Sequence, residues 1–184
     1  MLNERQIEPP SSDEYFEYYH RYISRAPQQF FLSDFGRQSQ ELRETLARLP
    51  EAEVSRLHAE FSWTLKQVIG HLIDVERLFS TRMLRIAAGD VTPIPGYEQD
   101  DYVANLDYQQ VSLEMLLEEF DCLRRANVLL VSRLSDEALR RRGTASGHTV
   151  SARANLFILA GHFVHHLEII QRRIALVRRA GSPA

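Results

Sequence analysis

One cysteine, Cys122, is all the sequence has, so no intrachain disulfide is possible. A lone thiol suits a reducing compartment. No apolar stretch approaches the roughly 20 residues that span a bilayer, which predicts no membrane partner. Basic excess is also missing. The net charge is -3, whereas general nucleic-acid binders usually carry a positive surplus, so no nucleic-acid partner is expected beyond what a small local basic patch could hold. Met1 to Ser12 is polar and proline-bearing, without a basic stretch followed by an apolar run, and does not read as a signal peptide. A cytoplasmic protein is expected. Internal repeats, low-complexity tracts and domain linkers are absent, and strand signals are weak throughout.

What is there is an ordinary globular balance over 184 residues, 44% apolar and 26% charged. That length buries the core of one domain. The expected organisation is a flexible N-terminus over 1–12, a single domain over 13–179 and a short tail over 180–184. The aromatic run Asp13-Glu14-Tyr15-Phe16-Glu17-Tyr18-Tyr19-His20 is too apolar to float free and should pack along the domain as a short helix or extended arm.

Four longer helical patterns follow. The first runs from about Ser33 to Leu49 and stops at Pro50, with Phe35, Leu42, Leu46 and Leu49 on one face. The second starts at Ser62, a candidate N-cap, and ends near Gly89. Its stripe is Leu65, Val68, Leu72, Val75, Phe79, Met83 and Ile86. The third spans Ser112 to about Leu134. The fourth runs from Ser151 to about Arg179, with Leu156, Ala160, Phe163, Leu167, Ile170, Ile174 and Val177 in near-heptad order and basic residues at its end. The pattern implies an all-α four-helix bundle. The connection Asp90 to Val111 is long for a bundle and irregular, with Pro93, Pro95, Gly96 and the pair Asp100-Asp101; loops of that length are often functional. Gly143 to Val150 reads as a second, glycine-rich connection.

His162 and His166 are one helical turn apart, so both imidazoles share a face, and Leu159 and Ile169 on the same stripe turn that face inward. This spacing gives two nitrogens to one metal ion in tetrahedral or octahedral sites. His71, flanked by Val68, Val75 and Leu78, is an inward histidine of the second helix. If the two helices are neighbours, three imidazoles converge and leave coordination positions open for water or substrate. The bland alternative is that each is a hydrogen-bonded core histidine. His165 lies about 100° around the helix and is read as a non-ligand. His20, His58 and His148 read as surface or partly buried residues. Phe163 stands where H-E-x-x-H would place its glutamate, which removes the usual metalloprotease base. The two E-x-x-H motifs of a di-iron bundle are missing as well.

Glu76 shares a stripe with Leu72, Phe79 and Met83, where a carboxylate needs a partner. It is either an acceptor behind a metal-ligating imidazole or one half of a salt bridge to Arg124, Arg125 or Arg153. Asp74 is either a fourth ligand or a solvated charge.

Three stretches resemble a known family. They are Trp63-Thr64-Leu65-Lys66-Gln67-Val68-Ile69-Gly70-His71-Leu72-Ile73-Asp74-Val75-Glu76, Ile94-Pro95-Gly96-Tyr97-Glu98-Gln99-Asp100 and Gly161-His162-Phe163-Val164-His165-His166-Leu167. In this order they are similar to the DinB-like superfamily, the DinB/YfiT-like metalloenzymes, from about Asp13 to Arg173. The resemblance implies an up-down-down-up bundle, often a homodimer. It implies a metal triad of His71, His162 and His166 and a divalent ion: nickel or zinc first, then iron. It also implies either hydrolysis or S-transfer with a low-molecular-weight thiol such as bacillithiol or mycothiol.

The leading expectation is therefore a metalloenzyme for a small-molecule substrate, in which the metal holds a water or thiolate as nucleophile, with no catalytic side chain assigned. Tyr97, Asp100 and Asp101 on the long loop would shape the entrance. The alternatives are a non-enzymatic stress-response bundle with a structural or vestigial metal site, and a haem or small-ligand sensor.

Overall fold

A computed structural model describes residues 4–180, without the side chains of 177–180. The expectations for Val177, for the basic end of the last helix and for the tail beyond Ala180 lie outside the described side chains and residues. Four long helices make the body: α2 (Ser33–Leu46), α4 (Leu65–Ala87), α6 (Leu113–Ser132) and α8 (Ala152–Ala180). The short α1 (His20–Ile23) and α3 (Glu51–Val54) precede α4; α5 (Gln99–Asn105) and α7 (Asp136–Arg140) lie in the later connections. The chain is all-α in class and its bundle is up-down-down-up. α4 packs on α8 and α6, and α2 packs on α6 and α8. Because α4 and α6 are parallel neighbours, the chain must return the length of the bundle between them. That is why the connection 88–112 is so long; it carries α5 and a 3-10 turn at Tyr108–Gln110.

The sequence boundaries shift for local reasons. α4 starts after Thr64, not Ser62. Thr64 accepts from the Gln67 amide at 3.2 Å while the Gln67 side chain accepts from the Thr64 amide at 2.9 Å, a capping box that fixes the start. α2 ends at Leu46, and Pro50 instead caps α3. Ser112 and Ser151 each accept an amide at a helix start, from Met115 and Ala154. The apolar faces are buried as the period predicts: Phe35, Leu42 and Leu46 on α2, Leu72, Phe79 and Met83 on α4, Phe120 and Val131 on α6, and Phe163, Leu167 and Ile170 on α8.

Two parts differ from the sequence reading. The glycine-rich connection is a β-hairpin, β3 (Arg142–Ala145) with β4 (His148–Ser151). Its turn, Ser146-Gly147, has positive φ at both residues, 53° and 81°, the two-residue geometry that matches strand twist. Ser-Gly is a weaker signal than Asn-Gly, and four-residue strands show little alternation, so the pattern was easily read as a loop. Ile94 adds to this hairpin through amide hydrogen bonds of 2.9 Å with Thr144 and Ser146, pinning the long loop.

The N-terminus is the second difference. Expected to be flexible, it is tied down from Arg5 onward: β1 (Gln6–Ile7) pairs with β2 (Phe30–Phe31), Ile7 is buried, and Arg5 donates to the Val131 and Leu134 carbonyls at 2.9 and 2.6 Å. Those carbonyls lie at and just past the C-terminal end of α6. Buried Glu14 accepts from Ser151 at 2.7 Å and from Arg153, the arginine that might have served Glu76.

Candidate metal centre

α4 and α8 are antiparallel neighbours, so the middle of one faces the middle of the other. This brings together residues 91 positions apart. His71 Nε2 lies 3.1 Å from His162 Nε2, which lies 3.1 Å from His166 Nε2. All three rings are buried, and their nearest nitrogens lie within 4.8 Å of one another. The ring planes cross at 61–65°, so the nitrogens converge and the rings do not stack.

Burial and mutual proximity keep these imidazoles uncharged. Burial, then His165, holds His71 down to about 4 from its ordinary 6.5. His162 and His166 lie well below 6.5, from burial first and their imidazole neighbours second. Neutral imidazole is the form that binds a metal. Three neutral rings pointing nitrogen at nitrogen cannot satisfy one another fully, because each pair of lone pairs needs a hydrogen between them; one cation would satisfy all three. The two 3.1 Å separations fit such an ion. Nitrogens about 2.0–2.1 Å from one ion stand about 2.8–3.4 Å apart at octahedral to tetrahedral angles. His166 Nδ1 departs from the usual pattern: it is buried without a hydrogen-bond partner, where ligating imidazoles normally donate to a neighbour.

The neighbouring carboxylates are committed elsewhere. Glu76 is not behind an imidazole. It lies 2.7 Å from Arg124 Nε and accepts from Asn127 at 2.7 Å, so the salt-bridge alternative holds, with Arg124 as partner. Asp74 is neither a ligand nor solvated: it is buried and accepts the Tyr108 hydroxyl. His165 stays out of the cluster and packs edge-on against Tyr22 at 5.5 Å. His20 and His148 are exposed, and half-buried His58 sits 2.6 Å from Glu53.

Two clefts reach the histidines. One, of about 650 Å³, is walled by Tyr18, Tyr19, Tyr22, Phe79 and Tyr97 and ends on His162. Asp100 and Asp101 line it too, as expected of the long loop. The other, of about 260 Å³, is walled by Phe61, Trp63, Ile169 and Arg173 and ends on His166. Gln99 and Asp100 line both, so the start of α5 divides the two openings. Tyr97 lines the larger cleft as expected, but the part of its wall made by Tyr18, Tyr19 and Tyr22 was not foreseen. Tyr22 reaches it because Gly161 lets α1 cross α8 at contact distance; a Cβ there would overlap the Tyr22 carbonyl. Tyr22 thereby packs on His162 at 5.1 Å. Trp63, just ahead of the α4 cap, similarly packs on His71 at 5.0 Å. A glycine immediately before His162 was the one sequence signal for the crossing.

A family model described as the DinB superfamily matches residues 34–170. A protein of Oceanobacillus iheyensis named "putative metal-dependent hydrolase" is 28% identical over 143 residues, covering 77% of this chain and 80% of its own. A protein of the same name from Halalkalibacterium halodurans is 28% identical over 134 residues, covering 71% and 75%. Among solved structures, YfiT from Bacillus subtilis, described as a probable metal-dependent hydrolase with an unusual four-helix bundle topology, matches 95% of this chain and 98% of its own with a TM-score of 0.67. At 14% identity that is a likeness of fold.

Proposed function

This chain belongs to the DinB superfamily, and from that premise we propose that it is a metal-dependent hydrolase of a small-molecule substrate, with its divalent ion held by His71, His162 and His166. The observation that carries the reading is the pair of 3.1 Å Nε2 separations among three buried, neutral imidazoles. Three imidazoles suit zinc, nickel or iron. When bound, the ion supplies Lewis acidity, lowering the pKa of a water or thiol that reaches it.

The chain's own residues do the remainder. The tyrosine cleft admits and orients the substrate against an aromatic wall. Burial pushes the Tyr22 phenol above its ordinary value, so beside His162 it stays protonated and is no base. Asp100 is the carboxylate that lines both clefts and so is the one placed to serve either, with Asp101 beside it in the larger cleft, since Asp74 and Glu76 are engaged. The existence of two clefts on one centre favours a second reading, S-transfer from a small thiol, in which each cleft takes one reactant.

Metal content per chain tests the centre. Untagged wild type should carry about one equivalent of nickel, zinc or iron by inductively coupled plasma mass spectrometry, and His166→Ala should carry almost none while keeping its helical circular dichroism. Absence of metal from wild type after reconstitution would overturn the proposal.

A further inference from the structure

Arg173 lies two turns beyond His166 on α8 and is 1% exposed. Its guanidinium sits 4.1 Å over the Phe61 ring and donates from Nη2 to the Trp63 carbonyl. Nε and Nη1 are buried and have no hydrogen-bond partner among the described residues. No carboxylate forms an ion pair with this guanidinium among the described residues; Glu53 acts on it only from further away and itself lies 2.6 Å from His58. A buried cation without a counter-charge is costly, and a protein keeps one where something else supplies the charge. Arg173 lines the smaller cleft, whose other end is His166.

We propose that this cleft is an oxyanion subsite: Arg173 attracts the carboxylate or phosphate of a substrate whose apolar part lies against Phe61, Trp63 and Ile169. That the same substrate reacts at the histidines rests on the metal-centre reading; the anion site does not. The charge of Arg173 acts through a low-dielectric wall, where it is weakly screened. Exposed Asp100 lines the same cleft, and its negative charge opposes an anion there.

Trp63 is the only tryptophan and lines the cleft, so its fluorescence reports occupancy without any reaction. The metal-free protein is titrated with benzoate and with inorganic phosphate. At least one should give a saturable change; benzoate alone assigns a carboxylate, phosphate alone a phosphate. Arg173→Met should weaken binding about tenfold or more, the loss of one weakly screened opposite charge beside the anion. Asp100→Asn should tighten it severalfold, and this exposed site keeps the test open if Arg173→Met does not fold. No saturable response to either anion, or an unchanged Kd in Asp100→Asn, overturns the subsite, as does an unchanged Kd in folded Arg173→Met. Nickel, zinc and iron content is measured separately. Anion binding in a protein that takes up none of the three sinks only the metal centre, and metal uptake without anion binding sinks only the subsite.

Discussion

Arg124 and the three histidines are buried between the same long helices, and they meet the cost of burial in opposite ways. Arg124 has Glu76 2.7 Å from Nε, Gln38 accepting from Nη1 at 2.6 Å, and the rings of Phe35, Phe120 and Phe163 within 4.3–5.1 Å of its guanidinium carbon. Asn127 completes Glu76. Every charge there has its answer inside the protein. Among the described residues the histidines answer only one another, nitrogen to nitrogen, and His166 Nδ1 has no partner. A closed polar network specifies a fold. A cluster of lone pairs at the meeting of two clefts is arranged for something brought from outside.

The sharpest way to break this contrast is Glu76→Ala. It strands Arg124 in the core and should cost about 3–5 kcal/mol in urea unfolding, whereas Glu76→Leu with Arg124→Met should recover most of that loss. If the single variant were as stable as wild type, the network would not be the structural half of the pair.

The histidines should respond to acid. His71 is held at about 4 when folded and near 6.5 when unfolded, so between those values the unfolded chain binds the proton and the folded chain does not. Stability of the metal-free protein is therefore unaffected above pH 6.5. It falls as pH drops towards 4, by an amount on the order of 3 kcal/mol for His71 alone, and levels off below. Unfolding curves across that range should show the loss, and His71→Ala should show less of it. A flat profile between pH 6.5 and 4 would contradict the burial of neutral rings.

The smallest effect expected is from Gly161→Ala. The added methyl collides with the Tyr22 carbonyl, and forcing α1 away should cost about 1–3 kcal/mol, seen as a lower Tm. Hydrogen exchange should speed up in α1 and not in α6. Uniform acceleration across both would mean that the crossing does not act locally.

The three histidines were legible because the helical period alone puts His162 and His166 on one apolar face, and because His71 shares the apolar stripe of its own helix. Asp74 and Glu76 were not resolved by that logic. Both sit on buried turns, and only the packing of α6 and of the 3-10 turn at Tyr108–Gln110 shows Arg124, Asn127 and Tyr108 arriving to meet them. The hairpin at 142–151 and the docking of Arg5 and Ile7 were missed for a similar reason. Short strands carry almost no periodic signal, and their hydrogen bonds come from distant chain.

By itself, then, the sequence determined the four helices, their apolar faces and which histidines turn inward. These follow from a repeat of 3.6 residues and from the cost of leaving apolar surface in water. Only the tertiary structure decided that α4 and α8 lie antiparallel with His71 opposite His162, that the long loop and the aromatic arm wall a cleft, and that Arg173 has no ion-pair partner among the described residues. Those depend on which atoms come within a few ångströms across scores of residues, a distance that no local pattern encodes.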